Sequence, residues 1–312
     1  MACIIQPDLE EVMLYNPQIE TFLTVADTGS FSQAAKQLFI SPQAIIKQMN
    51  SLEESVGLTL LERSPQGVHL TPEGRSLYKD AQYIMQFSRE AVLRAEAAGD
   101  AEEFYLRVGT SILTPDAYIT DNWATIVTAM PDLQLRIVFF ENSREAAREI
   151  LANFGQHIDM VVGIYSDDFL ERNFCAATFL KALPFKISCP KTHPLATKEV
   201  LEISDLEGYT VRHIYSGWSS VVDEMIDTLK NLYPKINFKP FDSYDMDIFN
   251  HCANSHELVL AVEKWSTHPL LKTIDVNWDY TINLGILHAI HPTPKVQQVL
   301  DIMNEIYNKN KI

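Results

Sequence analysis

The sequence has no paired cysteines, no metal-site histidine pattern and no long apolar run. Its four cysteines, Cys3, Cys175, Cys189 and Cys252, are widely scattered; without a CxxC pair they suggest neither a disulfide framework nor a zinc site. They read as reduced packing thiols of a cytoplasmic protein. The nine histidines include no HExxH, so no metal and no cofactor is expected. No stretch approaches the roughly 18 uninterrupted apolar residues that span a bilayer. Residues 1–16 carry Asp8, Glu10 and Glu11 but no Lys or Arg, so no membrane partner and no export are expected. A nucleophile elbow, a phosphate loop and a dinucleotide fingerprint are also missing. His157 with Asp159, and His251 with His256, therefore read as structural groups, and no enzyme is expected.

What is present is ordinary globular composition, 46% hydrophobic and 21% charged, over 312 residues, long enough for two or three packed units. The net charge of −16 is unevenly spread. Residues 17–99 hold seven basic residues against nine acidic ones, a net of −2; residues 1–16 contribute −3, which leaves −11 on the remainder. A nearly neutral N-terminal segment on a strongly acidic body would confine any polyanionic partner to one local face.

In residues 17–28, Pro17 is followed by Ile19, Phe22, Leu23 and Ala26 at the spacing of a surface helix, which Gly29 stops. Ser30 or Ser32 can cap a second helix that buries Phe31, Ala34, Ala35 and Leu38. Ser41-Pro42 then opens a third helix with an inward stripe of Ile45, Met49, Leu52 and Val56, ending at Gly57. Its outward positions are Gln43, Ile46, Lys47 and Asn50. A helix with amide and basic groups near its start, braced by two others, suits the major groove of double-stranded DNA. Leu60 to Arg63 and Val68 to Leu70 alternate around Ser64-Pro65-Gln66-Gly67 as a hairpin wing, which would let Arg63 meet the backbone. Thr71-Pro72 opens a long helix in which Gly74, Leu77, Ala81, Ile84, Ser88, Ala91 and Ala95 recur at three-four spacing. That seam predicts pairing with a second copy of the chain.

The run Phe22, Gly29-Ser30-Phe31-Ser32, Ala34-Ala35, Leu38, Ser41-Pro42-Gln43-Ala44, Lys47-Gln48-Met49, Leu52-Glu53, Gly57, Leu60-Leu61-Glu62-Arg63 and Leu70-Thr71-Pro72-Glu73-Gly74 resembles the LysR-type transcriptional regulators. The resemblance implies sequence-specific DNA binding by homodimers or homotetramers under the control of a small-molecule effector. One position departs from the pattern. Ile46 stands where the family usually has serine or threonine, and it either packs against the second helix or lies against thymine methyls. Ile46 and the acidic balance also leave open an effector-binding, dimerising protein that has lost DNA recognition.

Beyond the small, acidic segment Gly99 to Glu103, strand and helix patterns alternate: strands at 104–109, 133–140 and 158–164, with helices at 116–129 and 143–154. A second set follows, with strands near 174–189, 209–214, 236–241 and 257–262 and helices near 218–232 and 245–253. Strands at 272–290 are expected to return to the first lobe before a closing helix at 294–307. Two α/β lobes enclose a cleft at the carboxyl ends of their strands, where amides and helix starts converge on small anions. Thr110 and Ser111 occupy that place in one lobe; Tyr215, Ser216, Trp218 and Ser219 occupy it in the other. Hydroxyls and amides would hold a small polar or carboxylate ligand, with Tyr215 or Trp218 covering an apolar part; as ordinary helix caps the serines would bind nothing. The resemblance implies that this body is a two-lobed, periplasmic-binding-protein-like effector domain, and fragments such as Met130-Pro131-Asp132-Leu133 and His193-Pro194-Leu195-Ala196 look like its signposts. The expected fold is α/β, with an extension at 1–16, a winged helix-turn-helix at 17–71, a linker helix at 72–99 and the effector domain at 100–312. Lobe I would take 100–165 and 272–312, and lobe II 166–271.

Overall fold

A computed structural model describes residues 14–64, 67–99, 104–111, 117–263 and 268–309. Most of the expected N-terminal extension with Cys3, the Pro65-Gln66 wing tip, linker residues 100–103 and the first residue of the helix expected at 116–129 lie outside them. The chain divides into two compact units, residues 1–100 and 101–312.

In the first unit, α1 (Gln18–Thr28) ends at Gly29 in the left-handed conformation, φ 62°. The Ser30 hydroxyl accepts the Gln33 amide to start α2 (Phe31–Gln37), and the Ser41 hydroxyl accepts the Ala44 amide to start α3 (Pro42–Val56). Phe22, Val25, Ala34, Ala35, Ile45, Met49 and Leu52 close around one core, the tight three-helix pack that the small Ala pair permits. Val56 departs from its expected inward place: it is 41% exposed, because one turn beyond Leu52 the core has ended. The wing strands β1 (Leu61–Ser64) and β2 (Gly67–Leu70) pair antiparallel. The Val68 amide donates to the Gly29 carbonyl at 2.8 Å, which ties the wing to the α1–α2 turn. Glu53 accepts the Leu60 and Leu61 amides at 2.7 and 3.0 Å and so fixes the exit from α3.

The long helix α4 (Pro72–Gly99) differs from the seam read in the sequence. A Cβ on Gly74 would stand 2.0 Å from the Leu60 carbonyl oxygen, Leu77 packs on the winged-helix core, and Ala81 is part of it. The Ser88 hydroxyl accepts the Leu14 amide at 3.1 Å. The first half of the stripe thus serves this chain's own core; among the described residues the large apolar side chains that α4 exposes are Tyr83, Ile84 and Phe87.

In the second unit, β3 (Phe104–Thr110) pairs in parallel with β4 (Leu133–Phe139) and β5 (Met160–Tyr165). The helix expected at 116–129 is two, α5 (Ala117–Thr120) and α6 (Trp123–Ala129), while α7 (Arg144–Ala152) follows β4. A short helix that the sequence reading passed over, α8 (Asp167–Arg172), follows β5; its Phe169 and Leu170 pack against Leu151, Tyr165 and Leu287, so it belongs to lobe I and not, as expected, to lobe II. The 16-residue β6 (Cys175–Pro190) then passes through both lobes. Its far half carries β10 (Leu258–Val262) on one side and β11 (Leu271–Val276) on the other, both antiparallel; β11 also pairs with β7 (Val200–Leu201). β8 (Thr210–Ile214) pairs in parallel with β10 and with β9 (Asn237–Phe241), with α9 (Ser220–Leu232) and α10 (Met246–Ala253) between these strands. β11 therefore remains in the second lobe, contrary to the expectation that the chain returns from residue 272. The return is made by β12 (Thr281–Ala289), antiparallel to β5 and to the near half of β6. There Trp278 donates its indole N–H to the Phe185 carbonyl at 2.8 Å, which fixes the crossing. The closing helix is α11 (Pro294–Lys309).

Candidate nucleic-acid interface and ligand cleft

The face of α3 opposite Ile45, Met49 and Leu52 presents Gln43, Lys47 and Asn50 to solvent, while Ile46 is half-buried beside them. None of those three polar side chains makes a hydrogen bond among the described residues, so each keeps its donors for a partner. Ser32 is exposed at the start of α2. Ser30 and Ser41 spend an oxygen lone pair on capping, which leaves the hydroxyl hydrogen of each able to donate. Arg63, exposed on β1, lies with its guanidinium 4.7 Å from the centre of the Phe31 ring. These eight residues lie at the starts of α2 and α3, along the solvent side of α3 and on the first wing strand.

In the second unit the loop at 215–219 of lobe II folds as one piece with its surroundings. The Gly217 amide donates to Asp223 at 2.8 Å, the Tyr215 amide to the Phe241 carbonyl at 2.9 Å and the Trp218 amide to the Tyr215 carbonyl at 3.3 Å. Ser216 is exposed. Ser219 is buried at the N-terminus of α9 but does not cap it, and its hydroxyl has no partner among the described residues. In lobe I, Thr110 is buried at the end of β3 and Ser111, beside it, is half-buried.

Residues that the sequence reading missed bridge the two lobes. Asn142 donates to the Tyr244 carbonyl at 3.2 Å, the Arg144 guanidinium sits 4.3 Å from the Tyr215 ring centre, and Phe169 meets Trp218 at 5.5 Å. Asp168 of α8 accepts the Ser220 amide at 3.1 Å and the Ser220 hydroxyl at 2.7 Å. Arg172 pairs with Asp168 at 2.7 Å while donating to the Gly217 and Trp218 carbonyls. Burial raises the Asp168 pKa, but hydrogen bonds from the Ser220 hydroxyl and amide and the Arg172 charge outweigh that and hold it below the ordinary carboxylate value. The available signal was Ser166-Asp167-Asp168 directly after a strand, the capping pattern of a helix start. No group of His, Cys, Asp and Glu that could hold a metal occurs among the described residues. Cys189 and Cys252 are buried and burial pushes their thiols up to about 11 and about 12, which makes them poor nucleophiles. No helix among the described residues is long and apolar enough to cross a membrane.

Residues 17–75 match the family described as bacterial regulatory helix-turn-helix protein, lysR family. Over that segment the chain carries a helix-turn-helix of the LysR type. It is 26% identical over 250 residues to the HTH-type transcriptional regulator MJ0300 of Methanocaldococcus jannaschii, covering 78% of this chain and 77% of that protein. To the HTH-type transcriptional regulator CysL of Bacillus subtilis it is 25% identical, over 72% of this chain and 73% of the relative. The crystal structure of CbnR, a LysR family transcriptional regulator, shares the fold with a TM-score of 0.52 at 16% identity, over 93% of this chain and 98% of that one. Residues 17–75 are therefore a regulatory helix-turn-helix, and the relatives that match across the body are described as transcriptional regulators.

Proposed function

We propose that Gln43, Ile46, Lys47 and Asn50 enter the major groove of the operator, that Ser30, Ser32 and Ser41 donate to phosphates beside it, and that Arg63 meets the backbone from the wing. The observation that carries this reading is the amphipathic split of α3, whose apolar side is closed into the core while its polar side is open and unengaged. CbnR has been seen in complex with its target DNA, which supports the same use of the shared fold here. The near-neutral segment 17–99 limits the phosphate contribution of each copy, so affinity comes from two or four copies acting on adjacent half-sites. Tyr83, Ile84 and Phe87 on α4 supply an apolar surface for that association. In the second unit, Thr110, Ser111, Tyr215, Ser216, Trp218 and Ser219 form the effector site, which takes a small polar or carboxylate ligand. The protein works in the cytoplasm.

The test is a mobility-shift titration with the gene's own upstream DNA over a range of salt concentrations. Lys47→Ala weakens binding to all sequences and flattens the salt dependence by about one released counterion, while Gln43→Ala costs about 1–3 kcal/mol and relaxes selectivity at one base pair. Wild-type affinity and salt slope in both variants would remove α3 from the interface.

A further inference from the structure

The N-terminus of α9 is where the cleft offers donors to an anion, through the Ser220 amide and hydroxyl and the dipole of a 13-residue helix. An anion already stands there, and it belongs to the protein. Both oxygens of the Asp168 carboxylate lie within 3.2 Å of the Ser220 amide nitrogen, and one accepts the Ser220 hydroxyl at 2.7 Å. Arg172, one turn further along α8, donates to Asp168 and to the Gly217 and Trp218 carbonyls. Helix α8 thus presents a carboxylate to the amide donor and a guanidinium to the carbonyl acceptors of one loop in the opposite lobe, the two-sided recognition expected of a ligand.

We propose that Asp168 is a built-in occupant of the anion position at the start of α9, with Arg172 holding the two lobes together until an incoming carboxylate displaces it. The proposal rests on the reading of this cleft as the effector site and adds its regulation. Displacement exchanges one carboxylate for another, so the Ser220 donors stay satisfied and the change falls on α8, which is released from lobe II. The contact is also easily reversed: the Asp168 and Arg172 side chains keep 34% and 47% of their exposure, and water competes well for pairs this accessible. The buried, unpartnered Ser219 hydroxyl gives an incoming ligand a donor that Asp168 does not use.

Chemical rescue with acetate tests this on the full-length chain. Amide hydrogen exchange over residues 215–221 is followed in sodium chloride and in sodium acetate at equal ionic strength. In chloride, Asp168→Ala exchanges the Ser220 amide about tenfold faster than wild type; acetate restores its protection and leaves wild type unchanged. Arg172→Ala is not rescued, because acetate cannot replace a guanidinium. Asp168→Asn, which keeps an acceptor oxygen in place, gains nothing from acetate. Wild-type protection of Ser220 in Asp168→Ala, or equal acetate effects on wild type and variant, would overturn the proposal. An effector found to bind elsewhere would defeat the cleft reading while leaving the acetate result standing.

Discussion

The polar groups of α3 and those of the ligand cleft are arranged in opposite ways. Gln43, Lys47 and Asn50 stand open to water, and the segment that carries them, residues 17–99, is nearly neutral. In the cleft, Asp168 and Arg172 engage each other and Ser220 across two lobes, Asn142 reaches the Tyr244 carbonyl, and the Gly217 amide is taken by Asp223 of its own lobe, within a strongly acidic body. A convex helix face can wait for a rigid polyanion because water solvates it at no cost. A concave site would leave half-buried donors unsatisfied, so it fills itself from its own chain. The first surface should then be sensitive to anything that disturbs its scaffold, and the second to anything that changes the protonation or partners of its groups.

The largest expected effect breaks the scaffold on the first side alone. At Gly74 a Cβ would stand 2.0 Å from the Leu60 carbonyl oxygen and 3.1 Å from the Leu70 side chain, and backbone on the near side cannot give way cheaply. Gly74→Ala is expected to cost the first unit about 3 kcal/mol or more. DNA binding is lost with it, while the cleft contacts of the second unit persist. Thermal unfolding monitored by hydrogen exchange in both units checks this; a uniform loss over the whole chain would show that the two are not energetically separate.

The same contrast explains what could be read in advance. On the first side, the cap Ser41, the apolar stripe and the four residues proposed to enter the groove all belong to one helix, α3, so spacing alone separates Ile45 and Met49 from Gln43 and Lys47. Val56 escaped because a heptad pattern does not say where the neighbouring helices end. Gly74 and Ala81 fit a self-association seam and a close approach to the wing equally well, and only packing distinguishes the two. On the second side the strand and helix order was legible and the loop Tyr215–Ser219 was recognisable. Its partner Asp168 lies 52 positions from Ser220, a pairing no local pattern encodes. Keeping β11 with the second lobe likewise depends on registers with β6 and β7 that alternation does not specify.

A second, smaller effect distinguishes the units by pH. His193, His213 and His288 are buried in the second unit, and the pKa of each lies below 6.5. Burial is the main cause in every case, joined at His193 by the charge of His256. These groups stay neutral when folded and take up protons near pH 6.5 when unfolded, so the unfolded state binds more protons below that value. Their contribution is fully present above pH 6.5 and is lost as the pH falls toward the folded values. The first unit has one histidine, His69, on the exposed wing. Between neutral pH and about pH 5 the second unit's unfolding midpoint should therefore drop more than the first unit's. Replacing His213 or His288 with an apolar residue of similar volume should reduce that drop; an equal acid response in the two units would assign it to carboxylates instead.

The smallest effect concerns Arg63, which the first unit holds in place through the face of Phe31. Phe31→Leu keeps an apolar side chain at the edge of the core but removes the ring under the guanidinium, a contact worth about 0.5–1 kcal/mol at an exposed site. The arginine charge remains, so the salt slope of DNA binding should stay unchanged while affinity falls by a factor of about two to five. Combining it with Arg63→Ala decides the cause. If the ring acts by positioning the arginine, Phe31→Leu costs nothing more once Arg63 is gone; if it costs the same in both backgrounds, Phe31 serves only the core and the wing arginine is as free as Lys47.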